Sequence, residues 1–174
     1  MKNFKFIIPV AFLALAACSP ATHTTDTAAD GQDSLTSKNA DTSVSTALFA
    51  KMQIKDTIKA GEPVELKFTV YNNADSVQHF CKWHTPFEPL MSKYLTVKDG
   101  SGQEADYKGA MAKRIMPPPA DSYLKVNPKD SLSANVDVLK GYNIQNAGKY
   151  VITYEGQNMS GLIVKDSVSF VYIK

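Results

Sequence analysis

The residue types able to do chemistry crowd into one stretch, His79-Phe80-Cys81-Lys82-Trp83-His84-Thr85-Pro86-Phe87-Glu88. A thiol next to an imidazole is the raw material of a nucleophilic cysteine, and an imidazole near a carboxylate suits acid–base or metal chemistry. Spacing argues against both. Along an extended strand His84 points away from Cys81, and His79 shares its face but lies several ångströms off. A zinc hydrolase needs two imidazoles one helical turn apart and a Glu to activate water. The three histidines are His23, His79 and His84; none precedes a Glu and none is four residues from another. Asp99-Gly100-Ser101-Gly102 supplies neither a catalytic triad nor a phosphate cradle and reads as a hairpin turn. No metal or other cofactor is implied.

Packing and contact remain as roles for the stretch. Trp83 is the single tryptophan, a large apolar body with one N–H to satisfy. Thr85-Pro86 forces an extended or turned backbone just after it. One reading is a core strand, Ser76 to Trp83, whose Trp anchors a sandwich. The other is a contact loop in which Trp83, His84, Thr85, Pro86, Phe87 and Glu88 meet a partner. Cys81 fits a buried small apolar residue.

The elements that must position this stretch follow a period of two. Met52 and Ile54 share a face. Val64, Leu66, Phe68 and Val70 alternate with Glu65, Lys67, Thr69 and Tyr71, the clearest half-buried strand. Gly61-Glu62-Pro63 and Asn72-Asn73-Ala74-Asp75 bracket it with turn chemistry. Tyr94 to Lys98, Leu132 to Val138, Tyr150 to Tyr154 and Val168 to Tyr172 continue the pattern. Asn146 to Tyr150 resembles a tyrosine corner. Tyr107 to Arg114 reads as an edge strand, with Lys113 and Arg114 a second, charged patch on it. Pro117-Pro118-Pro119 reads as polyproline, either a stiff crossing between sheets or a protruding contact ridge. Short helical turns are expected at Pro119 to Tyr123 and at Gly141 to Gln145. Together these imply an all-β, immunoglobulin-like sandwich of about seven to eight strands over residues 48–174.

Ahead of the domain, residues 1–17 have the basic start and apolar middle of an export signal. It runs into Leu15-Ala16-Ala17-Cys18, which resembles a bacterial lipobox. The expectation is a lipidated Cys18 on residues 18–47, a polar tether too poor in large apolar residues to order itself. Acyl chains on Cys18 would hold the chain on a membrane, by default the periplasmic face of the outer membrane. The full chain carries 19 basic and 17 acidic side chains; without Lys2 and Lys5 the two balance. That removes the electrostatic footprint of a nucleic-acid binder. With Cys18 lipidated, Cys81 has no partner for an internal disulfide.

The order of motifs carries a resemblance. Lys82-Trp83-His84-Thr85-Pro86-Phe87-Glu88 comes first, then Tyr107-Lys108-Gly109 with Lys113-Arg114. Tyr123-Leu124, the Ser131 to Val138 strand, Tyr142 and Gly148-Lys149-Tyr150-Val151 follow. From about Met52 to Tyr154 this resembles the amino-terminal pro-domain of the deuterolysin-type (aspzincin) zinc metallopeptidases, especially the peptidyl-Lys endopeptidase group. The family pattern would put a small or amide residue where His84 stands. Its catalytic His-Glu-x-x-His has no counterpart here. The resemblance therefore implies a pro-domain fold without the enzyme: a non-catalytic envelope lipoprotein that binds a protein partner, a secreted zinc metallopeptidase, in the manner of an inhibitor. The contact residues it implies are Trp83 to Glu88, with Lys113 and Arg114. The competing expectation is a structural or adhesive envelope module with no protease partner.

Overall fold

A computed structural model describes residues 47–174. The expected leader, Cys18 and the tether as far as Thr46 lie outside the described residues. Nine strands follow one another: β1 (Leu48–Gln53), β2 (Thr57–Lys59), β3 (Glu65–Asn72), β4 (Gln78–Cys81), β5 (Leu95–Asp99), β6 (Tyr123–Val126), β7 (Ser131–Asp137), β8 (Gly148–Tyr154) and β9 (Val168–Ile173). They form a three-stranded sheet β1-β3-β7, a four-stranded sheet β2-β9-β8-β5 and a ribbon β4-β6. All pairs are antiparallel except β2 with β9. The count exceeds seven or eight because the three-residue β2 is a separate strand along β9.

Period-two patterning explains the two layers. Leu66, Phe68 and Val70 send fully buried side chains to one face of β3, and Val64 just ahead of it is fully buried too. Leu95, Val97, Ile152 and Phe170 answer from the second sheet and join the same core. Phe68 meets Tyr154 of β8 with ring centroids 5.2 Å apart. Burying such side chains is the main favourable term in forming the sandwich.

Most polar groups that enter this core are paired, as burial demands, whereas the fully buried Tyr94 hydroxyl has no partner among the described residues. The Tyr142 hydroxyl accepts from the Leu95 N–H at 3.1 Å and donates to the Leu95 carbonyl at 2.6 Å. Burial pushes its phenol well above the usual range. Tyr150 donates to the Asn146 carbonyl at 2.9 Å, closing the tyrosine corner. The Asn72 amide nitrogen reaches the carbonyls of Ser76, Val126 and Asn127, tying the end of β3 to the ribbon.

Three local expectations are corrected. β4 stops at Cys81, so Trp83 is buried from a turn rather than from a strand. Tyr107 to Arg114 forms no strand; a single bridge joins Tyr107 to Tyr142. There the Tyr107 hydroxyl donates toward the carbonyls of Leu90 and Ala110, drawing the chain back on itself at Gly109. The helical turn expected at Gly141 to Gln145 lies earlier, at Val138–Lys140, where the Asp137 carboxylate caps the Leu139 N–H. The turn at Ala120–Ser122 falls where the sequence put it. A one-turn helix, α1 (Gln157–Ser160), was not signalled and ends on Gly161 in the left-handed region, φ 76°.

Candidate functional site

The chain leaves β4 and enters a tight loop from Lys82 to Leu90. The Thr85 hydroxyl donates to the Lys82 carbonyl and accepts from the Phe87 N–H, so one side chain closes two turns. Thr85 is fully buried as a result. His84 lies at φ 60°, a conformation costly for most side chains and easiest for Gly or Asn. The His84 carbonyl is held by the Tyr154 hydroxyl at 3.0 Å, which also shares a hydrogen bond with Ser160 at 2.7 Å. Phe87 packs edge-on against Phe80.

An ion pair closes the far side of the loop. Glu88 Oε1 accepts from the His84 N–H at 3.0 Å and from Arg114 Nη2 at 2.6 Å. The guanidinium carbon of Arg114 sits 4.7 Å from the centre of the Trp83 ring. Both members of the pair are shielded, the side chains retaining 16% (Arg114) and 7% (Glu88) of their exposure. Trp83, Glu88 and Arg114 thus form one brace between two loops that are distant in sequence. Burial holds the His84 imidazole below its usual value, Glu88 opposing and Arg114 reinforcing the shift.

The brace supports something the sequence reading passed over. Around Arg114, Met111 is 72% exposed, Ile115 80% and Met116 63%, and Lys113 is exposed as well. Ala112 and Arg114 are half-buried, and the Ala112 N–H donates to the Met91 carbonyl at 2.8 Å. Side chains therefore alternate between inward anchors and outward display. Large apolar groups shown to water together mark contact surfaces. What the sequence offered was three large apolar residues, Met111, Ile115 and Met116, just ahead of a proline run.

Of the expected contact residues, Trp83, Thr85 and Pro86 are buried, while His84, Phe87 and Glu88 are half-buried. Lys113 and Arg114, expected as one charged patch, part company: Lys113 faces out, Arg114 in. The Cys81 thiol is free and buried, which pushes its pKa up and makes it a poor nucleophile. His79 is exposed on β4. Asp99 spends its carboxylate on Ser101 and Gln103, fixing the hairpin turn and lowering its pKa. Among the described residues no cluster of three His, Cys, Asp or Glu side chains is arranged to hold a metal ion. No described helix is long and apolar enough to cross a membrane.

A family comparison agrees with this architecture. An immunoglobulin-like domain family model matches residues 51–164. The chain belongs to that family. An uncharacterized secreted protein of Arthroderma benhamiae is 27% identical over 108 residues, 59% of this chain and 55% of the relative. A neutral protease 2 homolog of Arthroderma gypseum is 23% identical over 92 residues, 52% of this chain and 24% of the relative. The immunoglobulin-like chain thus spans about half of one relative and a quarter of the other. A CARDB domain from Pyrococcus furiosus aligns over 73% of this chain and 94% of its own, at 11% identity and a TM-score of 0.34.

Proposed function

We propose that this immunoglobulin-like domain is a non-catalytic binding module that docks on a secreted zinc metallopeptidase in an inhibitor or pro-domain-like manner. The docking element is the Met111 to Met116 loop, and Trp83 to Glu88 form the platform that holds it. The observation carrying this reading is the alternation around Arg114. An inward guanidinium is fixed by Trp83 and Glu88, while Met111, Lys113, Ile115 and Met116 face solvent. A loop held in shape before binding loses less conformational freedom on docking. Buried apolar anchors then supply most of the affinity.

The peptidase class rests on two supports. The motif order from Lys82 to Val151 resembles the deuterolysin-type pro-domain, and one relative is named a neutral protease 2 homolog. The match covers only a quarter of that relative, as a match to a separate, non-catalytic segment would. Placement on the outer membrane through a lipidated Cys18 belongs to the same proposal, with Leu15-Ala16-Ala17-Cys18 as its support.

The test is a titration of the purified protein into secreted zinc metallopeptidases of the same cell. Inhibition that weakens when Ile115 or Met111 becomes Glu is the expected outcome. Absence of both binding and inhibition at micromolar concentrations removes the peptidase reading. Recovery of a pilus, scaffold or secretion component instead would favour an adhesive or structural module.

A further inference from the structure

We propose that the open edge of β7 is a strand-addition site for an extended segment of a partner polypeptide carrying an acidic side chain. β7 ends its sheet and pairs with β3 alone. The bonds flanking that ladder fix its phase: the Asn72 N–H donates to the Asp130 carbonyl, and the Val138 N–H to the Val64 carbonyl. In an antiparallel pair the bonded residues alternate. Residues 132, 134 and 136 therefore turn their backbone groups to β3, and Ser133, Asn135 and Asp137 turn theirs to the open side. No other backbone bond among the described residues engages those three.

Other edges of the two main sheets are closed or cut short. The Ala50 N–H of β1 donates to the Ile163 carbonyl, and Ala50 bridges Val164. β2 has three residues. β5 is bridged by Lys98 to Glu104, with the Ala105 N–H on the Val97 carbonyl. β7, by contrast, runs seven residues in unbroken register and carries none of the Lys, Pro or bulge features that guard an edge.

The shape beside it selects the occupant. A cleft of about 360 Å³ lies between Asn135–Asp137 and the Pro86–Leu90 loop, with Lys140 on its lining. Its two carboxylates are engaged: Asp137 accepts from the Val64 and Leu139 amides, and Glu88 is paired with Arg114. Asp137 keeps its charge but turns it to those amides, whereas the exposed Lys140 ammonium forms no ion pair among the described residues. Main-chain bonds to β7 would give affinity. An apolar side chain against Pro86 and Leu90, and a carboxylate on Lys140, would give selectivity. This site shares a wall with the Trp83–Glu88 platform but does not depend on a peptidase partner.

An acetylated, amidated peptide of alternating valine and threonine with one glutamate is the probe, read by residue-level amide hydrogen exchange and calorimetry on the full protein. Slower exchange at Ser133 and Asn135 is expected, with affinity falling at least tenfold for Lys140→Glu. Asn135→Pro removes an outward N–H and should abolish binding. Should that variant unfold, a peptide N-methylated at alternate amides blocks the same ladder from the ligand side. Unchanged exchange at millimolar peptide overturns the site, as does equal binding by the N-methylated peptide. Equal binding after glutamate is replaced by glutamine overturns the acidic preference. A concentration-dependent dimer that Asn135→Pro abolishes would give the edge to a second copy of the chain instead.

Discussion

Two loops meet through Arg114 and have opposite characters. From Trp83 to Glu88 the chain is inward-facing: a buried indole, a buried threonine closing two turns, and a carboxylate receiving two donors. From Met111 to Met116 it is outward-facing, with large apolar side chains in water and a single backbone bond, at Ala112. The first loop is rich in rare residue types and poor in accessible surface; the second is the reverse. A conspicuous cluster in a sequence can therefore mark a buried support, while the exposed apolar surface lies elsewhere.

The support is where the largest losses are expected. Trp83→Ala removes a buried aromatic from beneath Arg114 and should cost about 3–5 kcal/mol, measured by denaturant unfolding. A cost near zero would mean that the indole is not packed in solution. Arg114→Ala leaves Glu88 shielded and without its cation, for a loss of about 3–5 kcal/mol if the pair behaves as fully buried. Its residual exposure places the expected value at the lower end. In the double variant Arg114→Ala with Glu88→Gln, much of that loss should return, because the amide oxygen still accepts from the His84 N–H and no unpaired charge is left. Failure to recover would show that Arg114 acts through Trp83 rather than through Glu88.

A smaller effect belongs to His84. Burial lowers its pKa in the folded state, so the unfolded chain takes up its proton first as pH falls. The contribution is fully present above the ordinary histidine pKa. It declines as pH drops through that value, until the folded-state group also protonates. The midpoint of urea unfolding should therefore fall between pH 7 and pH 5 by more in the native protein than in His84→Asn. Asn also tolerates the backbone at φ 60°, so this change tests the imidazole without adding strain. Identical pH profiles would show that the ring is solvated.

The fold was legible because the strongest physical signal was also the simplest. Val64 to Val70 and Tyr150 to Tyr154 alternate in sequence and are buried in alternation, although Thr69 is buried too, beside Ser133 on the adjoining strand. The tyrosine corner was readable because Tyr150 finds its acceptor four residues upstream. What failed depended on distant partners. Nothing local in Tyr107 to Arg114 tells that Tyr107 will fold back to Leu90, or that Arg114 will reach Glu88. The pattern Met-x-Lys-x-Ile alternates like an edge strand, yet β5 already has its neighbours through Glu104 and Ala105. For the candidate site, the sequence found the brace residues but not Met111, Ile115 and Met116. Their alternation is the same whether the segment pairs as an edge strand or stands free, so period alone does not reveal the exposure.

The smallest expected effect on stability is the most informative about function. Ile115→Glu replaces a side chain that is 80% exposed and bonded to nothing in the loop. Surface changes of this kind stay within about 0.5 kcal/mol, so thermal and urea unfolding should be indistinguishable from the native protein. If the loop is the docking element, the same change sets a charge in the middle of an apolar contact, and affinity for the partner should collapse. Trp83→Ala would weaken binding too, but only together with unfolding. Binding lost with stability kept at Ile115, against both lost at Trp83, separates a surface that touches the partner from the platform that carries it. Unaltered partner binding by Ile115→Glu would return the contact role to the half-buried His84, Phe87 and Glu88.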